Sequence, residues 1–389
     1  MSDADLPLGD LVILDFTRVL AGPFATALLA DLGARVIKIE SPGGDDYRHV
    51  GPFRDEESAL FAYANRGKES LVLDLKRPDD LVFAQALAAE ADVVVENFRP
   101  GVAERLGIGA KALRAANPRL VYASVSGFGQ AGPLADRPAY DIIVQAMSGL
   151  MSITGEPEGA PTLVGEAFGD LIAGLFASWA ILAALHRRQA TGEGGEIDVA
   201  MFDCLLAMMP TATCRFFATG QVPRRVGNRH PLSAPFGAFR TADGHAIVAV
   251  LNSRLFAQLC GAIGRPELAA EPRYATDALR LENEAPLRQA IEAWSGRLPT
   301  AEVVAQLSAL GVPAAPIDDV GAAATSAQAA ARGLFRPPQE GRLPVPLPEQ
   351  PVAFAGLARG RPVAAPALDE HGAAVRADLA AGRLRRRSG

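Results

Sequence analysis

Over the first 125 residues, short apolar runs alternate with helical segments, and this is what most restricts the fold open to the chain. The runs Leu11-Val12-Ile13-Leu14-Asp15, Arg35-Val36-Ile37-Lys38-Ile39, Asp92-Val93-Val94-Val95 and Leu120-Val121-Tyr122-Ala123-Ser124-Val125 are too short for helices. They are apolar at odd and even positions alike, as for strands covered on both faces. Between the first two, Gly22-Pro23 opens a helical pattern (Phe24, Leu28, Leu29, Leu32) that stops at Gly33, a C-cap signal. Helices are expected near Asp79–Ala91 and Ala110–Ala116 between the later strands. Strands joined by crossover helices lie parallel, so the expectation is an α/β fold with a mostly parallel, Rossmann-like sheet.

From Tyr140 to Leu185 the pattern is helical, small and apolar. Its longest apolar stretch, Leu171–Leu185, is about fifteen residues and is interrupted by Gly174 and Ser178. A spanning helix needs roughly 18–20, so this reads as a buried helix and no membrane partner is expected. A strand at Glu196–Val199 and a helix from Met201 follow. Pro223, Pro231 and Pro235, interleaved with Arg224, Arg225 and Arg229, mark a linker. Beyond it, a strand at His245–Val250 and helices near Ser253–Ile263, Glu284–Trp294 and Thr300–Leu310 have hydrophobic sets of their own. The organisation expected is a large Rossmann-like domain over 1–222, a small α+β domain over 223–325, and a segment over 326–389. That last segment, with Pro337, Pro338, Pro344, Pro346, Pro348 and Pro351, is expected to return over the large domain or to wrap a partner chain.

Composition narrows the partners. With 49% hydrophobic residues there is material for packed cores, and 38 basic against 44 acidic residues leave a net charge of −6 without the basic field that nucleic acid requires. Three cysteines far apart (Cys204, Cys214, Cys260) rule out a disulfide framework and a Cys-built zinc site. With an acidic start lacking the basic-then-apolar pattern of a signal peptide, this leads us to expect a cytoplasmic protein. The histidines are scattered, and no metal site is expected.

The first βα turn, Asp15-Phe16-Thr17-Arg18-Val19-Leu20-Ala21-Gly22-Pro23-Phe24, has one glycine where a dinucleotide site places three, which argues against a nicotinamide dehydrogenase. A ligand site remains open to it, because it joins the carboxyl end of a parallel strand to a helix start. Asp170 follows Gly169 at the start of the apolar helix. Two readings fit: a helix cap, the commoner fate of an Asp there, or a carboxylate nucleophile able to attack a thioester beside free helix N–H groups.

Several segments in order resemble the class III CoA-transferases of CaiB/BaiF type. They are Asp15 to Pro23, Asp31 to Glu40, Asn65-Arg66-Gly67-Lys68, Leu73-Asp74-Leu75-Lys76 and Val95-Glu96-Asn97-Phe98-Arg99-Pro100-Gly101. Ser126-Gly127-Phe128-Gly129, Arg137-Pro138-Ala139-Tyr140-Asp141, Gly169-Asp170 and Gly227-Asn228-Arg229-His230-Pro231 complete the set. The resemblance spans nearly the whole chain. It implies that Asp170 is the nucleophile and that CoA is held by Val19, Leu20 and Ala21, by Leu73 and Lys76, by Asn97 and Phe98, and by Arg105. It also implies an interlocked homodimer and no permanently bound cofactor, coenzyme A being substrate and product.

Related racemases carry a histidine where Tyr140 stands. A phenol is a poor proton acceptor at neutral pH, so acyl transfer is expected over α-methylacyl-CoA racemisation or mere CoA binding. Tyr140 then either orients the thioester or packs with its hydroxyl satisfied. Leu20 and Ser41 replace a glutamine and an arginine of formyl-CoA transferase, and its glycine-rich loop has no counterpart here, which argues against formyl/oxalate exchange. The turn resembles more the branch that moves CoA from succinyl-CoA to dicarboxylates. The expected substrates are an acyl-CoA and a small carboxylic acid, with Arg18 a candidate partner for a distal carboxylate.

Overall fold

A computed structural model describes residues 6–336, 345–355 and 364–385. Pro337, Pro338 and Pro344 lie outside the described residues, as does the acidic start. The chain divides into two compact units, one of residues 1–151, 163–221 and 327–389, the other of 152–162 and 222–326. Residues 152–162, read from sequence as part of the large domain, thus belong with the second unit.

The first unit is built on six parallel strands: β1 (Val12–Asp15), β2 (Arg35–Glu40), β3 (Lys68–Val72), β4 (Val93–Glu96), β5 (Val121–Ser126) and β6 (Gly195–Ala200). Their order across the sheet is β3-β2-β1-β4-β5-β6. Successive side chains of each strand enter opposite cores. Ile13, Val36, Val93, Val95, Val121 and Val125 pack beneath α1 (Ala21–Ala30) and the long helix Phe168–Thr191. Val12, Leu14, Ile37, Ile39, Val94 and Tyr122 pack on the other face, against helices Pro78–Glu90, Ala110–Ala116 and Gly372–Ala380. Cover on both faces is why the strands read as unbroken apolar runs. Strand β3 carries no apolar run that marks it in the sequence, because Lys-Glu-Ser-Leu-Val begins with three polar residues.

The helix Phe168–Thr191 has 24 residues, longer than the apolar stretch anticipated, and is long and apolar enough to cross a membrane by length and composition. Its Ala173, Ala177, Ile181 and Leu185 are buried in the core. Gly174 explains the interruption of that stretch: a Cβ there would lie 2.6 Å from the Ala21 carbonyl oxygen and 2.9 Å from Phe24 Cδ1, so the two helices cross at backbone contact. The C-terminal part returns to β3, with the amide of His371 donating to Ser70 O at 3.0 Å and that of Val72 to Asp369 Oδ1 at 2.8 Å.

In the second unit, Phe236–Arg240, His245–Ala249 and Ala314–Pro316 form an antiparallel sheet. Helices Ser253–Ala262, Glu284–Ser295 and Thr300–Ala309 close a core around Phe239, Val248, Phe256 and Leu259.

Candidate active site

In the first unit the strand order reverses between β1 and β4, and ligands of open parallel sheets bind outside the carboxyl ends of the strands at such a point. Two turns meet there, Phe16–Leu20 after β1 and Asn97–Phe98 after β4. They are bonded to each other: Arg18 N–H donates to Asn97 Oδ1 at 2.9 Å, and Asn97 Nδ2 donates to Arg18 O at 2.8 Å. Beside them opens a cavity of about 310 Å³ lined by Phe16, Thr17, Arg18, Leu73, Lys76 and Phe98, among others.

Of the residues singled out from the sequence, Arg18, Leu73, Lys76 and Phe98 therefore share one cavity wall. Leu73 is buried, Phe98 half-buried, and Lys76 exposed at the rim. Asn97 acts on the backbone of Arg18. Leu20 and Ala21 are buried at the start of α1 and so turn little side-chain surface to solvent. Arg105 is exposed at the end of the short helix Val102–Arg105, one residue before Leu106 of the cavity wall. Arg18 is also exposed, with its guanidinium 3.6 Å from Asp46. Tyr140 precedes the helix Asp141–Met147 and is 72% exposed, so its ring is not packed in the core.

Beneath the turn lies a buried charge network in which Asp15, Glu40 and Asp45 face Lys38, Lys68 and Arg48. Lys68 Nζ is 2.8 Å from Asp15 Oδ2 and Lys38 Nζ is 2.8 Å from Asp45 Oδ2. Burial alone would raise the Asp15 carboxyl, but Lys68 and Lys38 hold it well below the usual range. Lys68 is pushed down to about 8, chiefly by burial.

Asp170 lies in the first turn of Phe168–Thr191, but it is not the cap. The helix begins two residues earlier, at Phe168 after Ala167, and no side chain of its own caps it. The Gly169 N–H is instead taken by Asp141 Oδ1 at 2.7 Å. Gln145 holds Asp141 in turn, donating from Nε2 to Asp141 Oδ2 at 2.7 Å and to Glu166 O at 3.0 Å. Burial, with the Asp141 carboxylate beside it, pushes the Asp170 carboxyl up to about 7. A carboxylate so raised is more basic and more nucleophilic than a solvated one, yet about half ionised at neutral pH.

Tyr47, a residue the sequence does not mark, lies in the electrostatic field of this carboxylate. Its phenol is pushed up to about 12, first by burial and then by the carboxylates of Asp170, Asp45, Asp141 and Glu166. It is thus a neutral O–H donor among carboxylates. Its backbone N–H donates to Asp45 Oδ1 at 2.9 Å, on the wall of the cavity. A single aromatic between polar residues has no periodic signal that would have marked it. Among the described residues no cluster of His, Cys, Asp and Glu suited to a metal ion is found.

The family model for CoA-transferase family III matches residues 8–372. The chain is 47% identical over 379 residues to acetyl-CoA:oxalate CoA-transferase of Acetobacter aceti, covering 96% of each. It is 39% identical over 389 residues to succinate–glutarate CoA-transferase of Agrobacterium fabrum, again covering 96% of each. The crystal structure of a CAIB/BAIF family protein from Brucella suis superposes with a TM-score of 0.86 at 39% identity, covering 96% of this chain and 99% of that one.

Proposed function

The chain belongs to CoA-transferase family III, and we propose that it moves CoA from a short acyl-CoA to a small dicarboxylate with Asp170 as nucleophile. The observation that carries this is the partly buried Asp170 carboxylate in the first turn of an apolar helix, with no paired cation among the described residues, in the same unit as the cavity at the sheet's switch point, whose wall Asp170 does not itself line.

An Asp170 oxygen attacks the thioester carbonyl, the carbon–sulfur bond breaks, and an aspartyl–acyl anhydride forms with release of CoA thiolate. The thiolate attacks the aspartyl carbonyl, giving an enzyme–CoA thioester and freeing the donor acid. An acceptor carboxylate attacks that thioester carbonyl, re-forming an anhydride and CoA thiolate. The thiolate then takes the acceptor's acyl group and restores Asp170. Every step exchanges one acyl–oxygen for one acyl–sulfur bond, so no external oxidant or reductant is needed. The free helix N–H groups expected beside Asp170 are largely engaged: Phe168 N–H donates to Glu166 O at 2.8 Å, Gly169 N–H to Asp141 Oδ1 at 2.7 Å and Leu171 N–H to Ala167 O at 3.0 Å, so oxyanion stabilisation forms no part of this reading.

CoA lies along the turn Val19–Ala21 and the wall Leu73–Lys76, with Phe98 against its apolar parts and Lys76 and Arg105 toward its phosphates. The two relatives are named for oxalate and for glutarate, both dicarboxylic acids. Oxalate, argued against by the residue departures at Leu20 and Ser41, therefore stays among the acceptors to be tried. The reading extends to a homodimer, for which the exposed Leu175 and Trp179 offer apolar surface. The test is mass spectrometry of CoA exchange from succinyl-CoA, and separately acetyl-CoA, to short mono- and dicarboxylates. Loss of exchange in folded Asp170→Asn, with a hydroxylamine-trapped adduct on Asp170 in the wild type, is expected. Turnover by Asp170→Asn would overturn the assignment.

A further inference from the structure

Val19 has φ +70°, a left-handed conformation that is a genuine outlier for a β-branched residue. Such a conformation persists only where its surroundings over-determine it. Here three successive residues are tethered one by one. Thr17 is held at its N–H by Asp15 Oδ1 (2.9 Å) and at its carbonyl by Lys38 Nζ (2.8 Å). Arg18 is held at both backbone groups by Asn97. Val19 donates its N–H to Asp45 Oδ1 at 3.0 Å.

Asp45 is the member with the most to hold. Oδ1 receives the N–H groups of both Val19 and Tyr47, while Oδ2 meets the fully buried ammonium of Lys38 at 2.8 Å. Its own N–H donates to Glu40 Oε2 at 3.0 Å, and Glu40 is clamped by Arg48. The carboxylate is therefore anchored from β2 below and cannot swing away, and it presents one oxygen to two turns at once. One of these turns carries Val19; the other carries Tyr47, whose phenol shares the field of Asp170.

We propose that Asp45, braced by Lys38, is a positioning residue that holds Val19 in its left-handed conformation and so keeps the Val19–Ala21 turn in the shape that accepts the acyl-CoA. The proposal rests on the reading that this turn receives CoA. It differs from a general stabilising role, because it makes the need for Asp45 depend on the side chain at position 19. Glycine adopts φ +70° without steric cost. A chain with glycine at position 19 should need the tether far less.

The experiment is a double-mutant cycle between positions 45 and 19, read as KM for acyl-CoA, KM for the acceptor acid and kcat, with amide exchange of Val19 measured in the free protein. Asp45→Ala is expected to raise the acyl-CoA KM at least tenfold, to leave the acceptor KM within twofold, and to speed Val19 exchange at least tenfold. With Val19→Gly in the same chain the acyl-CoA KM is expected within threefold of Val19→Gly alone. If Asp45→Ala does not fold, Asp45→Asn, which keeps an oxygen for the two N–H groups but loses the charge facing Lys38, carries the test with an expected rise of at least threefold. An unchanged KM, or an equal rise with valine or glycine at position 19, overturns the proposal. A wild-type protein that binds no CoA while its Val19 amide exchanges slowly overturns the reading of the turn, and the positioning role with it.

Discussion

Asp141 Oδ1 accepts the backbone N–H of Gly169 at 2.7 Å, so the start of the helix that carries Asp170 is capped by a carboxylate from 28 residues away. The arrangement sets two negative groups side by side, and no cation is paired with Asp170 among the described residues. Gly169 makes room for it, since a Cβ there would lie 2.9 Å from Asp141 Oδ1. The consequences concern the charge of Asp170.

Nucleophilic attack needs the ionised carboxylate, and burial with the Asp141 charge places the Asp170 midpoint at about 7. The rate with saturating acyl-CoA is expected to rise with pH through that value and to level above it. Asp141→Asn removes the neighbouring charge and should move the midpoint toward acid. A pH–rate profile flat from 5 to 9 in the wild type, or an unmoved midpoint in the variant, would contradict the assignment.

The same group bears on stability. Unfolded, Asp170 releases its proton near 3.8; folded, near 7. Between these values the native state binds the extra proton, so its contribution to stability falls as pH rises through that window. Asp170→Asn carries no such penalty. It should be more stable than wild type above pH 7, by at most about 4 kcal/mol, with the difference fading as pH falls to about 4. Thermal melts of both proteins at pH 5 and pH 8 check this.

Gly174 sits where the two helices touch. Gly174→Ala would drive a methyl into the Ala21 carbonyl at 2.6 Å, backbone that yields little. A loss of about 1–3 kcal/mol is expected, against the small gain that alanine brings to an unobstructed helix. A melting temperature equal to or above wild type would show that the crossing relaxes.

Arg18 is exposed beside the cavity and only loosely engaged with Asp46, at 3.6 Å. If it meets the distal carboxylate of the acceptor, Arg18→Met should raise the KM for a dicarboxylate about tenfold or more, the scale of a lost charge-assisted pair, and leave a monocarboxylate unchanged. Equal changes for both acids would assign Arg18 to CoA or to the surface.

How much of this was legible beforehand differs from element to element. The runs at Val12, Val36, Val93 and Val121 announced a parallel sheet because strands covered on both faces must be apolar throughout. Strand β3 stayed hidden because Lys68, at its start, reads as a surface residue until Asp15 is seen 2.8 Å away. Asp170 could be picked out by position, but its place within the first turn, with the capping carboxylate supplied by another helix, could not. Arg18 and Phe98 both stand in segments that resemble the family, yet nothing local tells that Asn97 binds the two turns together.

Taken alone, the order of residues determined most of the strand-and-helix alternation and the apolar helix after Gly169, since burial and chain stiffness act over a few neighbouring residues. Tertiary structure alone decided that Lys38 and Lys68 lie in the core, that Val19 takes a left-handed turn, and that Asp141 stands next to Asp170. A charge becomes tolerable in the interior, and a carboxyl becomes basic, only through partners that the fold brings from far along the chain.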